Sequence, residues 1–114
     1  MSALNYYLRH GYTPINKLVI IQESAAVAAW SPKTSTKVVV TDLAISNNQA
    51  GTIAFYWGNV GGDKIAEFLL SGSSSITPSI GVWQGTAYDR SLFARTNSGA
   101  TDGFRVNLTG FDIA

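Results

Sequence analysis

The sequence predicts a single, nearly all-β domain of the sandwich class. Short runs rich in β-branched and aromatic residues alternate with turns rich in Gly, Ser, Thr and Asn, which is typical of a β-sandwich or barrel. The chain has 114 residues, the usual size of one domain. It contains no Cys, so neither disulfides nor a thiolate zinc site can stabilise it. We therefore expect seven or eight strands, no helix, and a core held by apolar packing alone.

The first strands follow from local composition. Residues 17–22 (KLVIIQ) form the first run, which we expect to continue through residues 24–30 until Pro32 removes a backbone donor. Lys37–Asn47 is rich in β-branched residues, and residues 47–51 form a turn of Asn, Gln, Ala and Gly. Residues 52–58 alternate, so that Ile53, Phe55 and Trp57 share one face.

The second half of the chain is less regular. Residues 64–70 are bounded by Gly62 and Gly72, and this short length favours a strand over a helix. Residues 73–83 are predicted as one irregular strand, interrupted at Pro78 and Gly81. Strands at residues 90–96 and 103–111 complete the sandwich. In the last one, the alternation predicts that Phe104, Val106 and Leu108 point inward and that Arg105, Asn107 and Thr109 point outward.

The N-terminal segment differs from the rest of the chain. Residues 1–16 show no clear period but contain Tyr6, Tyr7 and Tyr12. Aromatic residues are unusual in disordered tails and frequent at interfaces. We interpret this segment as an N-terminal arm or extra edge strand that docks on its own sandwich or on a neighbour, followed by a sandwich domain at residues 17–114. The alternative is a frayed terminus.

The charge content is low. Eight Lys and Arg and seven Asp and Glu make 13% charged residues, against about 25% in typical soluble domains. Either a surface of Ser, Thr, Asn and Gly keeps the chain in solution, or neighbouring subunits cover part of it. The net charge of +1 provides no basic stripe, so nucleic acid is not an expected partner. No apolar run approaches the ~20 residues that a membrane-spanning helix needs, so no membrane is expected either.

The sequence offers no catalytic constellation. Its single His, His10, lies in the arm, so a hydrolase triad cannot be assembled. Glu23 and Glu67 lie in separate predicted strands, and nothing in the sequence brings them together as a glycosidase pair. A calcium site would have to draw on scattered carboxylates without a D-x-D-x-D-G pattern, which turn capping explains equally well: Asp42, Asp63, Asp89 and Asp102. We predict no catalytic residue, no metal and no cofactor.

One pair of aromatic residues suggests a sugar site. Trp83 is followed by Gln84, and Tyr88 lies nearby in sequence. An aromatic face beside a hydrogen-bonding side chain suits a carbohydrate ring. The alternative is that Trp83 belongs to the core or to a subunit interface.

The strand VVTDLAISN at residues 39–47, the turn after it and the strand TIAFYWG at residues 52–58 resemble small β-sandwich proteins of tailed bacteriophage particles. The closing strand RVNLTGF at residues 105–111 is similar to theirs as well, so the resemblance extends over about two-thirds of the chain. The proteins of this family serve as head decoration (cement) proteins and as fibre or tail knobs.

The resemblance implies a jelly-roll-like sandwich, commonly trimeric, that binds the major capsid protein or other virion subunits on the outer surface of the capsid. It brings no catalytic residues. The alternative role in the family is a carbohydrate- or receptor-binding knob, which would use Trp83, Gln84 and Tyr88. For the decoration role we expect the interface to be formed by the arm tyrosines and by exposed aromatic residues among the three Trp: Tyr6, Tyr7, Tyr12, Trp30, Trp57 and Trp83.

Overall fold

The computed structural model describes residues 3–22, 27–47, 49–58, 63–72, 74–96 and 103–114. Within these ranges the chain forms one short helix and nine strands. In chain order they are α1 (Ala3–Arg9), β1 (Ile15–Ile21), β2 (Val27–Trp30), β3 (Lys37–Asn47), β4 (Gly51–Trp57), β5 (Asp63–Leu70), β6 (Ser74–Ile76), β7 (Trp83–Gln84), β8 (Leu92–Thr96) and β9 (Phe104–Ile113). The predicted all-β class is confirmed.

The strands form two antiparallel sheets that face each other. The five-stranded sheet has the order β1-β9-β3-β6, with β7 also paired to β3, and the four-stranded sheet has the order β2-β8-β4-β5. The pairs are nested along the chain: β4 with β5, β3 with β6, β2 with β8, and β1 with β9. Such a long hairpin, wrapped over itself into two sheets, is a jelly roll, and β7 is an addition to its eight strands.

The core lies between the sheets and follows the alternation of the sequence. Ile53, Phe55 and Trp57 of β4 face Val106 and Leu108 of β9 across one buried apolar cluster. The predicted inward faces of these two strands are therefore confirmed. All the residues of this cluster are fully or almost fully removed from water, and each such side chain contributes about 1.5–3 kcal/mol to the fold.

Two of the predicted strands have different boundaries and neighbours in the structure. The run at residues 24–30 does not extend the first strand, because β2 belongs to the opposite sheet and pairs with β8; residues 23–26 lie outside the described ranges. The run at residues 73–83 forms two short strands instead of one. β6 pairs with β3 at Ile45–Asn47, and β7 pairs with it at Val39 and Val40. Between them lie Pro78, which lacks a backbone donor, and Gly81, whose φ is +66°.

The N-terminal segment contains structure that the sequence analysis does not predict. Residues 3–9 form α1, although no helix is expected there. Ile15 and Asn16, inside the segment expected to be the arm, already belong to β1 and pair with Gly110 and Thr109.

Candidate interaction surface

Helix α1 covers one end of the outer face of the five-stranded sheet. Its Tyr7 side chain is 9% exposed and packs against Val39, Phe111 and Ile113, which point away from the main core. The ring centroids of Tyr7 and Phe111 are 5.1 Å apart. In the described residues the arm thus docks on its own sandwich, which is one of the two partners expected from the sequence.

The end of α1 is defined by a glycine. Gly11 has a φ of +84°, a left-handed conformation that glycine adopts freely. Its N–H donates to the carbonyl of Leu8 at 3.1 Å, and the N–H of Tyr12 donates to the carbonyl of Tyr7 at 3.1 Å. These two bonds form a Schellman motif. The motif turns the chain so that the centroid of the Tyr12 ring lies 6.2 Å from that of the Tyr7 ring. The chain then continues into β1.

The docking of α1 changes the acidity of Tyr7. Burial raises the pKa of its phenol above the ordinary value, and the neighbouring Tyr6 and Tyr12 raise it further. The cause is physical: a phenolate in a partly apolar contact loses hydration, so its neutral form is favoured. Tyr6, one position earlier, is 51% exposed and stacks on His10 with a centroid distance of 4.3 Å.

The described residues leave the rest of this outer face uncovered, and we call it the open face. It consists of the outward side chains of four neighbouring strands, which the pairing register places side by side: Asn16, Leu18 and Ile20 of β1, Arg105, Asn107 and Thr109 of β9, Asp42, Ala44 and Ser46 of β3, and Ser75 of β6. Leu18 is 72% exposed and Ile20 is 54% exposed. Large aliphatic side chains are thus left in water at the β1 side of the face.

The open face carries little charge. Most of its side chains are small, and Arg105 and Asp42 are its two charged residues. Two shallow depressions cross it, one of about 370 Å³ beside Asp42 and Pro78 and one of about 230 Å³ between Leu18 and Ser75. A surface of this kind suits contact with another protein better than enclosure of a small ligand, which usually needs a deep apolar pocket.

The outer face of the four-stranded sheet is different. Arg95 lies over the ring of Tyr56 at 5.7 Å and donates from Nε to its hydroxyl at 3.2 Å. Lys64 and Glu67 form an ion pair on the edge strand β5. Leu69, 77% exposed, is the large apolar side chain on this side. The two outer faces thus differ in their charge.

The three tryptophans are core residues of this chain. Trp30, Trp57 and Trp83 are all buried in the main cluster. The Trp30 indole N–H donates to Asp112 Oδ1 at 2.9 Å. Because these rings are covered by the chain's own sheets, they are not part of the surface that a partner would meet. Of the aromatic residues predicted at an interface, Tyr6 lies in the open, while Tyr7 is buried under its own helix and Tyr12 is half-buried.

The residues of the predicted sugar site are not brought together as a binding platform. The Trp83 ring packs between Phe55 and Phe68, with centroids 5.2 and 6.3 Å away. Gln84 points outward from β7, and Tyr88 is exposed beneath the ammonium group of Lys37 at 4.9 Å. Without an exposed Trp83 face, the pairing of ring and amide that suggested a carbohydrate does not exist.

The acidic side chains serve local structure. Asp63 accepts a hydrogen bond from Arg90 at 3.1 Å, and Asp89 accepts one from the Ser35 N–H at 2.6 Å. The Thr41 hydroxyl donates to Asp42 at 3.0 Å. Within the part of the chain that the structure describes, no three His or acidic residues are grouped in a way that could hold a metal ion. Glu23 and Asp102 lie outside the described residues.

Among the described residues, no helix has the length and apolar character needed to cross a bilayer.

Comparisons with known proteins found similarity in fold but not in sequence family. No protein-family model and no curated protein matches the sequence. A chain from the structure of Bacillus endospore appendages, a family of disulfide-linked pili, is similar over 90% of this chain and 91% of its own, with a TM-score of 0.51 and 15% identity.

Two chains from viral particles were also found. One belongs to the capsid asymmetric unit of cyanophage Pam1, with a TM-score of 0.47 and 13% identity over 90% of this chain and 84% of its own. The other belongs to the virus-like particle of the extra small virus of the prawn Macrobrachium rosenbergii, with a TM-score of 0.41 and 11% identity over 91% and 80%. The similarity to the appendage chain supports the sandwich fold described above.

Proposed function

We propose that this chain is a non-enzymatic structural protein of a virus particle: a capsid decoration (cement) protein that binds the outer surface of an assembled bacteriophage head. The open face is the observation that carries the proposal. It presents Leu18 and Ile20 to water on a weakly charged sheet, and exposed apolar area of this kind marks protein contact sites. The jelly-roll topology and the resemblance of residues 39–58 to phage virion proteins support the same role.

The size of the open face indicates how such a protein would bind. The open face spans about five residues on each of β1, β9 and β3 and the three residues of β6. With a rise of about 3.3 Å per residue and strands about 4.8 Å apart, this gives it about 300 Å² in projection. A stable pairwise interface buries about 800 Å² on each partner, so one copy alone would bind weakly. Several linked copies bind far more tightly by avidity, which is why we propose an oligomer, with a trimer favoured, against the major capsid protein.

Assembly of this kind would not use disulfide links. The pilus with a similar fold is disulfide-linked, whereas this chain has no Cys. Binding that is selective for the assembled shell stabilises the shell by mass action. Charge contributes little to this binding, because the open face carries one acid and one base.

The proposal is tested by co-sedimentation of the protein with phage heads that lack it. We expect Ala44→Lys combined with Asn107→Lys to lower the occupancy about tenfold or more, because two charges at the centre of an interface must be desolvated without a partner. Leu69→Lys, on the outer face of the other sheet, is the matched control and should bind as the unmodified protein does. Equal occupancy of the double variant and the control would contradict the proposal.

A further inference from the structure

The two sheets have four edges, and these differ in how well they are protected against pairing with another chain. An outer strand exposes a row of backbone N–H and C=O groups that can template a further strand. In the five-stranded sheet these edges are β1 on one side and β6 with β7 on the other. In the four-stranded sheet they are β2 and β5.

Three of these edges carry recognisable protection. β2 has four residues, β6 has three and β7 has two, and short edges offer few hydrogen bonds. β5 has eight residues but carries Asp63, Lys64 and Glu67. Its pairing with β4 is also shifted by an irregularity at Phe55 and Tyr56.

β1 carries one of these devices, the charge of Lys17, and lacks the others. It has seven residues without Pro, and it pairs with β9 through seven consecutive positions without a register shift. Lys17 is its one charged residue, and Lys17 lies on the inner side of the strand, in line with Ile15 and Val19. On the outer side Leu18 and Ile20 remain in water. Among the described residues β1 has one neighbouring strand, β9, so its other edge is open.

We propose that β1 pairs antiparallel with β1 of a second copy of this chain, about a two-fold axis at Leu18. The two five-stranded sheets then join into one continuous sheet. In this register Leu18 faces Leu18 of the second copy, Ile20 faces Asn16, and Val19 faces Lys17. The outer apolar side chains of both copies meet across the junction.

The sequence of β1 favours its own copy as the partner. The strand INKLVII places Leu18 at its centre, and Lys17 is the one charged residue beside it. Reversing it about this centre puts no like charges directly opposite each other, and like charges in that position would destabilise the pair. It also matches inner side with inner side, because Ile15 faces Ile21. A contact between identical patches of this kind is the commonest way in which soluble proteins form dimers.

The pairing does not depend on the proposed function, since it involves only this chain. Cysteine crosslinking tests the register directly, because the natural chain has no Cys. In Leu18→Cys the two thiols lie opposite each other, within the ~7 Å between Cα atoms that a disulfide spans. In Asn16→Cys they are offset by four residues, about 13 Å. We expect Leu18→Cys to form a disulfide-linked dimer on mild oxidation and Asn16→Cys alone to stay unlinked.

Two further arms make the experiment decisive. A mixture of the Asn16→Cys and Ile20→Cys proteins should give a mixed dimer, because these positions face each other. Leu69→Cys, more exposed than Leu18 but on the other sheet, is the control for random collision and should stay unlinked. Equal crosslinking of the Leu18, Asn16 and Leu69 variants would overturn the proposal.

Solution mass, measured by light scattering without any particle present, gives the second readout. We expect the unmodified protein to show an even number of copies at high concentration. Leu18→Lys combined with Ile20→Lys should halve that number, because the new charges meet across the axis, while Leu69→Lys should leave it unchanged. Circular dichroism of the double variant verifies that it is folded. A trimer mass for the unmodified protein would refute the pairing and leave the proposed shell binding untouched, whereas a monomer mass would contradict both the pairing and the proposed oligomer.

Discussion

Gly110 shows how a single residue constrains the approach of two strands. It lies within β9, opposite Val40 of β3 and Ile15 of β1. Its backbone is not left-handed, so flexibility is not the reason for glycine. A Cβ at this position would lie far inside van der Waals contact with the carbonyl oxygen of Val39. The adjacent irregularity between Val40 and Asp42 brings β3 this close. Glycine is therefore required here for space.

We expect Gly110→Ala to lower the free energy of unfolding by about 3 kcal/mol or more, because rigid backbone must move to admit one methyl group. Asn107→Ala, an exposed position on the same strand, is the control and should change it by less than about 0.5 kcal/mol. Urea unfolding followed by the fluorescence of the buried tryptophans measures both. Equal stability of the two variants would show that the strands separate more easily than the contact implies.

At this scale the sequence predicts which side chains are buried, but not what they contact. Alternation alone places Phe104, Val106 and Leu108 in the core, as the structure shows. The bond between Trp30 and Asp112 joins residues 82 positions apart, and no local pattern contains that information. The sequence likewise leaves open whether Trp83 is buried, because a two-residue strand beside β3 cannot be recognised from its own composition.

Helix α1 is marked in the sequence by the residues that end it. Gly11 follows the last helical turn, and Pro14 follows three residues later, which is a recognised sign of a helix end. The helix is short, and seven residues would not hold together in water alone. Tertiary contact therefore decides its existence, and that contact is with Phe111 and Ile113 at the far end of the chain. Aromatic content predicts that the segment docks, but not where.

We expect Tyr7→Ala to lower the free energy of unfolding by about 2 kcal/mol, because it removes the buried ring that joins α1 to the sheet. Tyr6→Ala is a matched control in the same helix and should cost less than about 1 kcal/mol, since that ring is mostly exposed. Thermal unfolding compares the two. Alkaline titration of tyrosinate absorbance is an independent readout: the phenol with a raised pKa should disappear in Tyr7→Ala and persist in Tyr6→Ala. Similar losses in both variants would contradict the docking described.

At the scale of the whole molecule, strand composition predicts the fold class, and the resemblance adds the jelly roll. Strand composition does not predict which strands are neighbours. β1 pairs with β9, and Ile15 meets Gly110 only after almost the entire chain has folded back. The open face and the open edge of β1 are consequences of this order. Composition alone could not predict them, because any strand with a similar pattern could have held that place.

The nested pairing also predicts the order of folding. β4 and β5 are joined by a short connection, so their pairing costs little loop entropy, whereas β1 and β9 come from opposite ends of the chain. Sandwiches dominated by such distant contacts fold in about milliseconds to seconds. We expect the contacts of β4 to be formed in the transition state and those of β1 to form after it.

Two matched substitutions test this order, since Ile53 of β4 and Ile21 of β1 are both fully buried. Each change to Val should cost about 1 kcal/mol at equilibrium. Ile53→Val should act mainly by slowing folding, and Ile21→Val mainly by accelerating unfolding, because only interactions present in the transition state affect the folding rate. Stopped-flow tryptophan fluorescence across a range of urea concentrations measures both rates. The opposite partition would mean that the chain ends meet first, and that β1 joins β9 before the central hairpin forms.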